Sequence, residues 1–161
     1  MADRASTLGS DAAPAAPGFR GLVDNWRLIL AQGNLPPGRT IDAVSRWLLI
    51  TRACVFSMTV TSALIGGVLA ASSAAAPDWS LFALPTLGLV LAHAANNMIN
   101  DFFDTTGGVD TAQYTRALYA PHPLLSNLIS KQGLLATIAA VNVADLLILI
   151  HLAQARGWAV V

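Results

Sequence analysis

Glutamate is absent from this chain of 161 residues: its nine acidic residues are all Asp, its nine basic residues are eight Arg and one lysine, and the formal net charge is zero. Charged residues make up only 11% of the sequence, against roughly 25% in an ordinary soluble domain, which argues against a water-soluble fold. Without an excess of basic residues there is no electrostatic footprint for nucleic acid. A single cysteine, Cys54, rules out an internal disulfide, and with three histidines it leaves too few ligands for a Cys/His zinc cluster of the usual spacing. No apolar run follows a basic start ahead of Pro36-Pro37, so no secretory signal is expected. A membrane helix takes about 20 residues and the N-terminal quarter is too polar to span, which leaves room for about three or four crossings. A large transporter or pump is not encoded here in full.

What is present is hydrophobic, at 55% of residues, and it comes in runs. Residues 1–21, rich in Ala, Pro, Gly and Ser, read as a disordered arm. Residues 22–45 form a short helix and linker, with Leu22, Trp26 and Leu30 on one side: either an interfacial helix or a loosely packed cap. Residues 46–161 are the transmembrane part, with spans expected at about 53–76, 79–104 and 134–155. Arg46, Trp47 and Arg52 suit the headgroup zone before the first span. Small residues within it, among them Ser62, Gly66 and Gly67, suit close helix packing. Apart from Arg156 after the third span, the basic residues precede the first span or lie in the loop from Asp101 to Lys131. By the positive-inside rule the N-terminus and this loop are cytoplasmic.

Polar side chains accumulate where the second span ends, in HAANNMINDFFDTTGGVD. At about 100° per residue, His93, Asn97, Asp101 and Asp104 fall in one narrow sector of a helix, with Asn100 beside them and Phe102 and Phe103 directed away. Thr105-Thr106-Gly107-Gly108 breaks the helix, so Asp110 can fold back over the row. Three carboxylates this close repel one another and call for a cation. Magnesium, which prefers oxygen ligands and is often shared with substrate phosphates, fits this chemistry: a metal-bridged diphosphate at the mouth of a lipid-facing cavity. The alternative is a polar helix end in contact with water.

The segment NMINDFFDTTGGVDT resembles the first aspartate-rich motif of the UbiA-type membrane prenyltransferases, Asn-x-x-x-Asp with a later Asp, which falls here on Asn100, Asp104 and Asp110. Asp101, Asn97 and the wide spacing to Asp110 are most like the 1,4-dihydroxy-2-naphthoate (menaquinone) branch. HPLLSNLISKQGL, from His122 to Leu134, resembles the stretch leading into that family's third helix, where Gly is common at the place of Asn127. Arg52 matches the Arg that opens its first helix. The resemblance implies an all-α, polytopic transmembrane bundle of which this chain holds about three of roughly nine helices, in a bacterial inner membrane. It implies transfer of an isoprenoid chain from a polyprenyl diphosphate to an aromatic acceptor, with magnesium assisting departure of pyrophosphate. Asp104 and Asp110 would be catalytic. Asn100, Asp101, Asp104 and Asp110 would hold the metal, and Asn97, Asn100, Arg116 and Lys131 would contact the diphosphate. The two basic residues are equally suited to anchoring at the membrane surface. A second aspartate-rich motif of the family is missing, so the chain alone is expected to be catalytically incompetent. The competing reading is a non-catalytic membrane module that binds a divalent cation for transport or assembly.

Other polar residues admit structural roles. Asp145, with Asn142 one turn earlier, either lines a polar cavity or is buried against Arg52. His93 reads as a hydrogen-bonded packing residue, His122 as a shaper of its loop, His151 as an interfacial anchor and Cys54 as a small apolar residue.

Overall fold

The computed structural model describes residues 18–73, 78–113 and 120–157. Among these the fold is all-helical: α1 (Phe19–Gln32), α2 (Ala43–Ile50), a single 3-10 turn (Ala53–Val55), α3 (Phe56–Ser73), α4 (Trp79–Thr106) and α5 (Lys131–Arg156). Three stretches, Ala53–Ser73, Trp79–Thr106 and Lys131–Arg156, are long and apolar enough to cross a membrane. The helix expected from residue 22 already begins at Phe19, and residues 1–17 of the expected arm lie outside the described residues. The third span starts three residues earlier than hydropathy suggests, because Ser130 caps it by accepting from the Gly133 N–H at 3.0 Å and draws the polar Lys131-Gln132 into the first turn.

The N-terminal helices form a cap tied by polar contacts. In α1 the buried row is Asn25 and Ile29, whereas Leu30, grouped by spacing with Leu22 and Trp26, is 48% exposed. The row is set by Asn25, whose amide donates to the Thr40 carbonyl at 3.1 Å and accepts from Arg39 at 2.8 Å, binding the helix to its own linker. Gly33 ends α1 with φ 69°, and its N–H donates to the Ile29 carbonyl. A Cβ at Gly33 would come within 2.8 Å of Cys54 Sγ, so a side chain there would separate the cap from the first span. Asp42 starts α2 by accepting from the Val44 and Ser45 N–H groups, and it also accepts from the Trp26 indole at 3.1 Å. The chain then turns sharply at Arg52, whose φ of 53° and ψ of 48° are left-handed, and enters α3.

The long helices run up, down and up. Their joints are small residues: a Cβ at Gly67 of α3 would lie 2.5 Å from the Phe82 ring of α4, and one at Gly88 of α4 would lie 2.9 Å from Asp145 Oδ1 of α5. The core of large buried residues, among them Ile29, Leu49, Met98, Leu124 and Leu134, lies at one end, where the cap and the loop after α4 pack on the α4–α5 pair. Along the spans the large apolar residues Met58, Ile65, Val68, Leu69, Val143 and Leu147 are more than half exposed. Such surfaces are costly in water and are satisfied by lipid. At the opposite end Arg156 and Asp78 approach to 3.9 Å, both well exposed, a contact worth little.

Asp42 generates a first prediction. Burial works to raise its carboxyl, but hydrogen bonds from Ser45, Trp26 and Val44 outweigh it and hold the group below its ordinary value of 3.8. A lowered folded-state pKa gives stability that is fully present above the ordinary carboxylate range and is lost as pH falls through the lowered value. Asp42→Ala should destabilise the cap by about 1 kcal/mol and flatten its acid dependence. Tryptophan fluorescence during denaturation, at neutral pH and in acid, measures both effects.

Candidate metal centre at the end of α4

The polar row of α4 divides between two tasks. Its deeper members hold helices together. His93 Nδ1 pairs with the Thr59 hydroxyl at 2.6 Å, which gives this histidine the packing role expected of it. Asn97 is buried and donates to the Thr51 carbonyl at 3.1 Å. Asn97, expected among the diphosphate contacts, has a structural task here: α2 is capped at Thr51, leaving a carbonyl in need of a donor, and the Asn97 amide supplies it. Asp101 is fully buried and receives the Arg52 guanidinium, with Nη2 on Oδ1 and Nε on Oδ2 at 3.3 Å. Arg52 is therefore committed to Asp101, and of the two alternatives for Asp145 the burial against Arg52 does not occur.

The later members are gathered by two turns. After α4 the Gly107 N–H donates to the Phe103 carbonyl, Gly108 takes φ 75°, and the N–H groups of Val109 and Asp110 both donate to the Asp104 carbonyl, at 2.8 and 3.0 Å. This reversal carries Asp110 back to a buried position beside α4, as the Thr-Thr-Gly-Gly break implied. The second turn follows Pro121. His122 Nδ1 accepts from the N–H groups of Leu124 and Leu125, both at 3.3 Å, and the His122 N–H donates to the Ser126 hydroxyl at 2.9 Å. Asn127, where the resembled family often has Gly, sits at φ 52°, a conformation Asn tolerates better than most residues.

These turns bring Asp101, Asp110 and His122 together. One ligand atom from each lies within 4.8 Å of the others, all three residues are buried, and among the described residues this is the group that could hold a metal ion. His122 Nε2 lies 3.2 Å from Asp110 Oδ2 and 3.5 Å from Asp101 Oδ1. Nδ1 faces two backbone N–H donors and acts as an acceptor, which turns Nε2 toward the two carboxylates. The ring as held is a hydrogen-bond donor to the acids, and the oxygens are the more available ligands.

The remaining expected residues are placed as follows. Asp104 is half-buried and Asn100 exposed, on the flank of α4 beside the trio, and Lys131 is exposed at the start of α5. Arg116 lies outside the described residues. Of the two Phe residues expected to point away from the row, Phe103 is exposed and Phe102 packs against the core. Sequence reasoning gave His122 only its loop-shaping role. Its neighbours Pro121 and Pro123 marked a rigid turn, but nothing local revealed that the turn faces Asp110. Comparison of the chain with known protein families, with curated proteins and with solved structures finds no match.

Two outcomes follow from this geometry. Arg52→Met leaves Asp101 buried without its counter-charge and should cost about 3 kcal/mol, much of it restored by adding Asp101→Leu. Thermal unfolding of the single and double variants in detergent micelles measures this. Nitrogen-15 NMR of the His122 ring should show Nδ1 as the nitrogen that accepts the backbone hydrogen bonds.

Proposed function

We propose that the chain carries the first metal-diphosphate half-site of a membrane prenyltransferase of the UbiA type, acting on a polyprenyl diphosphate and an aromatic acceptor such as 1,4-dihydroxy-2-naphthoate. The observation that supports this reading most is the gathering of Asp101, Asp110 and His122, all buried and with ligand atoms within 4.8 Å of one another, where Arg52 is the guanidinium paired with Asp101 among the described residues. Two carboxylates buried side by side are costly unless cations meet them. A divalent cation held by the group relieves that cost.

The donor set fits magnesium, which takes carboxylate, amide and water oxygens and shares them with phosphates. Bound there, it would supply Lewis-acid neutralisation of the diphosphate leaving group. In this reading Asp110 and Asp104 offer oxygens to the metal, with Asn100 hydrogen-bonding its waters or the phosphate oxygens. Asp101 is held in place by Arg52 and contributes charge more than a free ligand. His122 orients Asp110 by donating from Nε2. Lys131 and Arg116 remain candidate phosphate contacts from the connecting loop. The three apolar helices provide the lipid-facing wall along which an isoprenoid tail can lie. An aromatic acceptor and a second acidic loop belong to parts of the site that these helices do not form.

A second reading, a cation-binding membrane module without catalysis, is favoured by the histidine in the cluster, since imidazole together with carboxylates suits transition metals better than magnesium. Binding of a fluorescent isoprenoid diphosphate to the chain in micelles separates the two readings. Magnesium should promote that binding, and Asp104→Asn should weaken it about tenfold. If zinc or manganese binds tightly with or without the diphosphate, and magnesium has no effect, the prenyltransferase reading is refuted in favour of the second.

A further inference from the structure

Asp145 takes no part in the cluster just described. It sits near the middle of α5, about 21 Å along the axis from Lys131 and about 17 Å from Arg156 at 1.5 Å per residue. Its half-buried carboxylate rests on α4 at Gly88, so close that a Cβ there would meet Oδ1 at 2.9 Å, with Ile148 Cγ2 next nearest at 3.6 Å. The missing side chain thus makes a notch in the α4–α5 seam that seats the acid. Among the described residues no hydrogen bond or ion pair reaches Asp145. Arg52 is spent on Asp101, and Arg156 lies by Asp78 at the end of the helix. Asn142, one turn earlier, donates back to the Ile138 carbonyl of its own helix. The surrounding surface of α5 is apolar, with Val143, Leu146, Leu147 and Ile150 exposed.

An ionisable group at the centre of a membrane helix is expensive and is normally paired within a helix interface. At that depth a partner backbone must satisfy its own hydrogen bonds, which restricts it to a helix. Charge complementarity fixes the side chain: a long basic one, able to reach into the notch while its stem lies along the apolar seam. We infer that the α4–α5 seam at Gly88 and Asp145 is a docking surface for a transmembrane helix carrying Lys or Arg at mid-depth. This surface is independent of the metal-diphosphate reading, since its residues lie about 20 Å along α4 from Asp101.

The test uses the complete chain in lipid vesicles and two synthetic oligoleucine membrane peptides, one with a central lysine and one without, followed by energy transfer between labels. The lysine peptide should associate about tenfold more tightly than the plain one. Asp145→Leu should abolish the difference, and Gly88→Ala should weaken it by displacing the carboxylate. Circular dichroism checks that each variant keeps its helices, and Asp145→Asn preserves shape while removing charge. Equal association of the two peptides overturns the inference, as does a preference that survives in Asp145→Asn. Self-association of the chain without peptide, abolished by Asp145→Leu, would assign the seam to a second copy and also overturn it.

Discussion

The contact between Arg52 and Asp101 is the constraint from which the arrangement of the polar end follows. A fully buried carboxylate is tolerable only with a close, well-oriented counter-charge, and the guanidinium engages both oxygens of Asp101. To bring Arg52 there, the chain leaves α2 through a left-handed residue, a conformation uncommon for a non-glycine side chain. The same elbow exposes the Thr51 carbonyl, which Asn97 satisfies one helical turn from Asp101. The cap, the start of the first span and the end of the second are thus locked by a polar seam. Without that lock, Asp110 and His122 would have no fixed carboxylate to fold back upon.

The location of this seam matches the uneven distribution of packing. The spans touch along glycine joints and leave most of their apolar surface outward, while the dense core is confined to the end that carries the cap and the connecting loop. In lipid there is little hydrophobic gain from burying one leucine against another, so helices associate through close backbone approach and polar contacts. Gly67 and Gly88 provide the former, and Thr59–His93, Asn97–Thr51 and Arg52–Asp101 the latter. The cluster of Asp101, Asp110 and His122 lies beside these contacts, at the densely packed end of the molecule.

Much of this was legible in the sequence, and the remainder was hidden for definable reasons. Length and hydropathy located all three apolar helices, because lipid imposes a nearly one-dimensional requirement on each. The fold-back of Asp110 was readable from Gly107-Gly108, which only needed local backbone rules. Spacing alone could not divide the row on α4: His93, Asn97 and Asp101 share a face with Asp104, yet they meet α3 and its preceding elbow whereas Asp104 does not. That division depends on Arg52, nearly fifty residues away in sequence. The role of Asn25 was hidden for a related reason: the spacing of Leu22, Trp26 and Leu30 says nothing of it, and two hydrogen bonds to its own linker make it a buried residue.

The backbone around His122 decides how the cluster can be used. Nδ1 is taken up by the N–H groups of Leu124 and Leu125, so the ring meets the acids through Nε2. The turn after Pro121 thereby fixes one edge of the imidazole against Asp101 and Asp110, and a carboxylate oxygen from each stays within reach of a common point. The loop's backbone, as much as the identity of the acids themselves, gives the group a geometry that could hold a metal ion.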